Sequence, residues 1–224
     1  MNTLDFKRSN YPRIRAELLA LHNEILKLPN KEDLYTCARH LGLLHKKVMR
    51  FNNESEVSLL AEYQVYAYRP RGFNLAELYL RINRASLSEF QLEFLARMST
   101  ARFAVLLVDE VGNDETLRVT DILRKDSFIV VDQGLSSTLR PKHAFASHII
   151  DMSDYSIQTG AVLPADRALM QSDEPMRVLN TLSGKVDGVG YHISSDEGSK
   201  LARAVYAAAI RMGYTERVEH TDYK

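Results

Sequence analysis

The sequence predicts an α+β fold with an N-terminal helical region, a central five-stranded antiparallel meander or small barrel, and a C-terminal helical cap. Three observations support this prediction. Apolar residues in the first part of the chain recur at helical spacings of three and four. Short β-branched runs separated by turn residues follow, and helical spacing then returns. We therefore divide the chain at 1–100, 101–165 and 166–224 and expect the three regions to pack as one body.

The composition is that of an ordinary globular protein. The chain has 224 residues, of which 45% are hydrophobic and 26% charged, and this balance excludes disordered and fibrous classes. No apolar run reaches the ~20 residues that cross a bilayer, so we expect no membrane partner. Cys37 is the single cysteine, and residues 1–7 lack the apolar stretch of a signal peptide. We expect a cytoplasmic protein.

The charge balance argues against a dedicated nucleic-acid binder. The whole chain carries 29 basic and 29 acidic side chains, and its formal net charge is zero. Residues 1–100 carry 15 basic and 11 acidic side chains. This mild excess permits contact with an anionic partner, although it is smaller than the basic charge typical of nucleic-acid-binding domains.

Five helices are predicted in residues 1–100. The first covers 14–28, where an apolar stripe ends at Pro29, and the second covers 31 to about 48, with Gly42 as a weak point. The next three start at pairs in which Asn or Ser precedes Glu by three residues, a pattern typical of helix N-termini. These pairs and helices are Asn53 with Glu56 for 54–68, Asn74 with Glu77 for 75–82, and Ser86 with Glu89 for 87–100.

The period changes at residue 102, where short apolar runs bounded by turn residues predict five strands. A turn at residues 112–114 follows the first strand, because Gly and Asn tolerate positive φ. The predicted strands are 103–108, 116–123, 127–131, 144–152 and 155–162. Five short strands joined by tight turns favour an antiparallel meander or a small barrel.

Two helices are predicted in the last region. Pro175 suits a first helical turn and Gly184 a helix end. Ser194 with Glu197 marks the start of a second helix, which Gly213 ends. That helix is rich in alanine and can pack closely against a neighbour, so a homo-oligomer assembled through its Ala-rich face is one hypothesis.

Two groups of residues are candidates for metal binding or catalysis. Cys37 and His40 share a helix face, but His45 does not, so we predict no metal site and place Cys37 in the core. No motif indicates a cofactor.

The carboxylates and histidines of the β region could perform acid–base chemistry or hold a divalent ion. Most of these residues lie at turns, where Asp serves local backbone bonding, and the odd spacing of His143 and His148 places them on opposite sides of a strand. The members that could form a site are Asp121, Asp132, His143 and His148.

Aromatic and basic side chains alternate between residues 63 and 84, a pattern suited to single-stranded nucleic acid or an acidic peptide. Such tyrosines also pack at the edges of cores. A polar loop at 134–140 offers hydroxyls and an arginine to an anion, but it lacks a phosphate-loop motif. The predicted partner-binding residues are Tyr66, Tyr68, Arg69, Arg71, Arg81, Arg84, Ser136, Ser137 and Arg140.

The stretch from "VSLLAEYQVYAYRPRG" to "FASHII", roughly residues 57–163, resembles uncharacterised bacterial cytoplasmic proteins in which helices precede a small β-meander module. The resemblance implies the order of the elements and a bacterial source. It implies no reaction and no catalytic residue.

The absence of a catalytic signature favours a non-enzymatic binding or regulatory protein that recognises a protein or an anionic partner, with nucleic acid included. The alternative is an enzyme, a hydrolase or phosphate-handling protein that uses the carboxylates and histidines of the β region. Sequence alone does not separate these hypotheses from the oligomer hypothesis.

Overall fold

A computed structural model of the chain describes residues 8–112, 115–182, 185–186 and 190–217. Helices precede and follow a small barrel, as the predicted α+β class requires. None of the helices in these ranges combines the length and apolar character needed to cross a bilayer. The α-helices are α1 Tyr11–Ile25, α2 Lys31–His40, α3 Glu54–Glu62, α4 Leu75–Asn83, α5 Glu89–Ser99, α6 Gln133–Thr138, α7 Arg167–Met170, α8 Asp173–Leu179 and α9 Ser195–Arg211.

Five strands close into a barrel in the order β3, β4, β5, β7, β6, because β6 pairs with β3 as well as with β7. A short strand, β8, pairs with the first residues of β6, and two separate two-stranded sheets lie outside the barrel sheet. The strands are β1 Leu44–His45, β2 Val48–Met49, β3 Arg102–Val111, β4 Thr116–Asp121, β5 Ser127–Val131, β6 Ala144–Asp151, β7 Ser156–Gln158, β8 Leu163–Pro164, β9 Lys185–Val186 and β10 Gly190–Tyr191.

The barrel is mixed, which differs from the predicted all-antiparallel meander. β5 and β7 are parallel and pair at Val130 and Ser156, whereas every other pair in the barrel is antiparallel. The parallel pair follows from the number of strands. A closed ring with an odd number of strands cannot alternate in direction all the way round, so a five-stranded barrel has at least one parallel pair.

The second helix is shorter than predicted. It ends at His40, because Gly42 takes a φ of +77° and the chain turns back through the bond from the Leu43 N–H to the Ala38 carbonyl. The residues predicted to continue the helix instead form the β1–β2 hairpin. The apolar spacing of that stretch suited a helix, but the glycine ended it.

Helix starts agree with three of the four predicted capping pairs, including Ser194, which caps α9 in a reciprocal exchange with Glu197. Asn53 accepts from the Glu56 N–H, and Asn74 accepts from the Glu77 N–H. The pairing predicted at Ser86 is wrong, because Ser88 caps α5 in a reciprocal exchange with Gln91. The predicted turn residues 113 and 114 and the predicted helix end at Gly184 lie outside the described residues.

The predicted 54–68 helix contains a change of pitch. After α3, Tyr63–Ala67 forms one turn of π-helix, and the Tyr68 N–H donates to the Tyr63 carbonyl at 2.8 Å. Such turns are rare and occur often at functional sites. This one is buried throughout and contacts α9 and α4.

Residues of β3 alternate between two cores. Ala104 and Leu106 face the barrel interior, whereas Phe103 and Val105 pack against the helices. The Ala-rich face of α9 is buried in this second core, where Leu201 is fully buried. This packing gives no support to an oligomer assembled through that face, since the face is already occupied within the chain.

The β1–β2 hairpin has an unusual turn. Its two central residues, Lys46 and Lys47, have φ values of +47° and +68°. A two-residue hairpin with positive φ at both positions strongly favours Asn-Gly, because a Cβ in the left-handed region clashes with the backbone.

We expect the double variant Lys46→Asn/Lys47→Gly to raise the free energy of unfolding by about 0.5 to 1 kcal/mol, since relief of backbone strain outweighs the flexibility that Gly adds to the unfolded chain. Urea denaturation measures the change. Lys46→Ala/Lys47→Ala removes the same charges but keeps the strain, so it should not stabilise the protein. Equal stability of all three proteins would contradict the strain argument.

Candidate functional site

A cavity of about 880 Å³ lies beside the barrel. Its walls come from α3, from α6, from the start of β6, and from the segment between Gln158 and Arg167. Ligand sites in proteins typically have volumes of roughly 300 to 1,000 Å³, so the cavity is large enough for a small organic molecule.

The walls of this cavity are largely apolar. Leu59 of α3, Leu135 of α6, Phe145 of β6 and Leu163 of β8 all line it. Their positions follow from local signals: Asn53 caps α3, and Asp132 caps α6 by accepting from the Leu135 N–H at 2.8 Å. An apolar lining suits the hydrocarbon or ring portion of a ligand.

Acidic and basic side chains both line the cavity, but they differ in how many hydrogen bonds they make with other groups of the protein. Asp132 accepts from Tyr11, Gln158 and Leu135, and Asp166 accepts from Leu169 and Tyr214. Both carboxylates are therefore held by the protein itself.

The basic side chains that line the cavity make fewer hydrogen bonds than these carboxylates. One Arg15 Nη1 bond goes to the Gln158 carbonyl at 2.8 Å, and Arg167 donates to Gln171. Within the described ranges, Lys142 has neither an ion-pair partner nor a side-chain hydrogen bond. The charge at the cavity that has no partner among the described residues is therefore the positive charge of Lys142.

Lys142 is held in a conformation that favours glycine. Pro141 and Lys142 are the central residues of a turn closed by the His143 N–H, which donates to the Arg140 carbonyl at 3.0 Å. Lys142 has a φ of +74°. With Pro at the first central position, positive φ at the second marks a type II turn, where Gly is the favoured residue.

A group of buried polar side chains lies behind the cavity wall. Glu62, at the C-terminal end of α3, is 2% exposed and accepts from the Thr159 hydroxyl. The same carboxylate oxygen lies 3.4 Å from His148 Nδ1, which is 3.0 Å from the Tyr206 hydroxyl. A buried carboxylate is costly without such partners, so these bonds join α3, β6 and α9.

The π-helical turn contributes to the same region. Tyr66 stacks on His148 with ring centroids 5.4 Å apart, and its hydroxyl lies 2.5 Å from His22 Nε2. Burial raises the pKa of Tyr66 and of Tyr206 well above the usual value, and burial lowers the pKa of His22. The two phenols therefore stay protonated and available as hydrogen-bond donors.

The nine predicted partner-binding residues do not assemble at the large cavity. None of them is among the described residues that line it. Tyr66 and Arg69 line a separate cavity of about 60 Å³ together with Arg102, Arg124 and His148. The Arg69 side chain is only 14% exposed and donates to the Gly72 carbonyl.

Four other members of that set lie outside both cavities. The Tyr68 hydroxyl donates to Asp33, and Arg81 pairs with Glu77. Arg71 and Arg84 are exposed. A role for these residues in partner contact stays a prediction.

The predicted loop at 134–140 is largely helical, because Asp132 caps it as α6. The hydroxyls of Ser136 and Ser137 donate to carbonyls of their own helix, and Arg140 donates to the Ser137 and Leu139 carbonyls. These side chains therefore bond to nearby backbone carbonyls, and they do not point together to form the anion site that was expected of a loop.

The four acid–base candidates lie at different places in the structure. Asp121 is fully buried and accepts from Arg102 and Arg124 at 3.0 and 2.8 Å, which is a structural role in the barrel. His148 belongs to the buried group with Glu62. Only Asp132 and His143 of the four line the large cavity.

Cys37 lies in the core, as predicted, and burial raises the pKa of its thiol to about 12. A thiol in this setting is a poor nucleophile at neutral pH. Across the described ranges, no group of three or more His, Cys, Asp or Glu side chains is arranged to hold a metal ion.

Sequence reasoning did not single out Arg15, Glu62 or Gln158 as site residues. Each sits within a regular helix or strand pattern, where a polar residue at an inward position resembles a surface residue. Lys142 did carry a signal, since Pro followed by Lys stands where Pro-Gly is the favoured turn sequence. The other residues are recognised only from the fold, which brings together residues that are far apart in the sequence.

We expect Thr159→Val to lower the free energy of unfolding by about 1 to 3 kcal/mol, because the substitution preserves side-chain shape but removes a donor from the buried Glu62 carboxylate. Thr159→Ser keeps the hydroxyl and should lose much less. Thermal and urea unfolding of both variants measure the difference. A Val variant as stable as the Ser variant would show that the Thr159 bond does not support Glu62.

Comparison with known proteins adds membership of a family but no activity. No curated protein matches the chain, and no solved structure matches it. A family model described as a family of unknown function, DUF7986, matches residues 6–171. The matched range includes α1, α3, the whole barrel and all of the described residues that line the large cavity. The chain therefore belongs to the DUF7986 family of unknown function.

Proposed function

We propose that the protein binds a small organic anion with an apolar body in the 880 Å³ cavity. One observation carries the proposal: a largely apolar cavity is lined by the cation Lys142, which has no partner among the described residues. This proposal develops the anionic-partner form of the sequence prediction.

The shape and lining of the cavity support this choice of ligand. Buried apolar surface contributes roughly 25 cal/mol per Å², so a ligand with a hydrocarbon or ring portion gains from contact with Leu59, Phe145 and Leu163. A fully apolar ligand would leave Lys142 and Arg15 without a counter-charge. A small fully polar anion would leave the apolar walls uncovered.

The backbone at Lys142 supports a role for its charge. Glycine at this turn position would relieve left-handed strain, yet the chain has lysine there. Strained residues tend to occur at functional sites, and this one lines the cavity. We infer that the Lys142 ammonium group is present for the ligand.

The test uses the anionic fluorescent dye anilinonaphthalene sulfonate as the first probe, with octanoate and octanol as competitors. Octanoate should displace the dye at a lower concentration than octanol, which has the same chain without the charge. Raised salt should narrow this difference, since a partly exposed charge contact is screened. Displacement by neither compound would contradict the proposal.

Lys142→Gly should have opposite effects on binding and stability. Octanoate binding should weaken by roughly fivefold through loss of one partly exposed charge contact. The free energy of unfolding should rise by ~0.5 kcal/mol, because Gly suits the turn. Dye displacement and urea unfolding measure the two quantities.

Lys125→Gly is the matched control for this variant. Lys125 is an exposed lysine with a φ of +64°, and it does not line the cavity. Its replacement should stabilise the protein to a similar degree and leave octanoate binding unchanged. Equal loss of binding in both variants would contradict a local role for Lys142.

The enzymatic alternative has weaker support. Asp132 and His143 line the cavity, but Asp132 already accepts hydrogen bonds from three protein groups and is poorly placed to act as a free base. A protein or nucleic-acid partner, a regulatory role, and a bacterial cytoplasmic setting remain predictions from the sequence.

A further inference from the structure

We propose that Arg15 and Lys142 bind two separate acidic groups at opposite ends of the large cavity, so that the ligand is a dianion whose acidic groups are joined by an apolar chain. The inference rests on the proposed binding of an organic anion in this cavity. It narrows the ligand class from organic acids in general to elongated diacids, and it assigns the second acidic group to Arg15.

The register of the sheet shows that the cavity wall is elongated. Gln158 lines the cavity and pairs with Ile149, near the C-terminal end of β6. The chain then runs back along β6 until Pro164, which also lines the cavity, pairs with Phe145. Ile149 and Phe145 are four residues apart, so this wall extends about 13 Å along the strand. The cavity therefore has one end at Gln158 and another at the start of β6.

Arg15 lies at the Gln158 end of this wall. It belongs to α1, lines the cavity and donates from Nη1 to the Gln158 carbonyl at 2.8 Å. A carbonyl carries no net charge, and no carboxylate of the described residues forms an ion pair with Arg15. A guanidinium has five N–H donors in a planar fork that suits a carboxylate, so this single bond leaves donors for a ligand.

Lys142 lies at the opposite end. It precedes Ala144, the first residue of β6, by two positions. Arg167 lines the cavity near the same end, because it follows Ala165, whose N–H donates to the Ala144 carbonyl at 3.0 Å. Positive charge therefore lies at both ends of the elongated wall.

The carboxylates at the two ends are already engaged within the protein. Asp132 lies at the Gln158 end, where it accepts from the Gln158 amide at 2.9 Å. Asp166 lies at the other end and accepts from the Tyr214 hydroxyl. Each also accepts from a backbone N–H of the helix that follows it. Hydrogen bonds to a carboxylate stabilise its charge, so the basic groups of the wall are left for a ligand.

The wall segment between the two ends is apolar. Residues 160–163 line the cavity one after another, and Phe145 of β6 lines it beside them. A chain of methylene groups gains roughly 25 cal/mol per Å² of surface buried there, whereas a charge at this place would lose its hydration without a counter-charge. A monocarboxylic acid would leave one cation unmatched. The arrangement matches a molecule with acidic groups at its two ends and an apolar chain between them.

The experiment compares monocarboxylic and dicarboxylic acids of equal chain length as competitors of the anionic dye at neutral pH. The pairs start with octanoate and octanedioate and extend to the hexane, decane and dodecane series. We expect one length at which the diacid displaces the dye at a roughly tenfold lower concentration than the monoacid, because a carboxylate then meets the guanidinium. The monomethyl ester of that diacid keeps the polar end without its charge and should bind no better than the monoacid.

Arg15→Gln tests which residue provides the preference. The ratio of the two affinities should fall to about one, while the affinity for octanoate changes little, because its single carboxylate binds Lys142. Arg13→Gln is the matched control, since Arg13 is an exposed arginine of the same helix that does not line the cavity. In that variant both affinities and their ratio should persist.

Arg15→Lys provides a second variant for the case in which Arg15→Gln folds poorly. It keeps the positive charge, so most of the preference for the diacid should remain. Preserved circular dichroism spectra and dye binding would show that each variant is folded. A folded Lys variant that binds diacid and monoacid equally would overturn the role of the Arg15 charge.

The outcomes separate this inference from the proposed function. If monoacids displace the dye and no diacid of any length does better, the role of Arg15 is wrong and the binding proposal stands. If no acid of either kind displaces the dye, both are wrong. A methyl ester that binds as tightly as the diacid, or a preference that persists in Arg15→Gln, would also overturn the inference.

Discussion

The buried carboxylate of Glu62 is the constraint on which the arrangement of the site depends. It accepts from Thr159, next to β7, and lies beside His148 of β6, so it fastens the end of α3 to the barrel. Both α3 and β6 contribute residues to the wall of the large cavity. A charge inside the core must be met by such bonds, and here the bonds set the position of α3.

Lysine occupies four turn positions that favour glycine or asparagine. Lys46, Lys47, Lys125 and Lys142 all have positive φ, and each position would be more stable with another residue. Their strain is a cost that packing elsewhere in the fold offsets. Of these four lysines only Lys142 lines the large cavity, and its strained turn therefore supports the proposed role of its charge in binding.

The element types and the fold class were predictable because they depend on local periodicity. β5 was predicted at its observed bounds, and α1 within three residues of its own. The failures have local and global causes: Gly42 ended α2 early, and the parallel β5–β7 pair follows from closing an odd ring of strands. The site was far less predictable, since Arg15 meets Gln158, and Glu62 meets Thr159, only through the tertiary fold, and no spacing in the sequence records these contacts.

The most direct test of binding in the cavity is an amide NMR titration of the protein with octanoate. The account predicts saturable shifts that concentrate at the cavity walls, at Leu59, Leu135, Gly160 and Leu163. The same titration of Lys142→Gly should show shifts at the same residues with weaker affinity. Shifts confined to surface residues away from these walls, or no saturable shift at all, would contradict the claim that this cavity binds an organic anion.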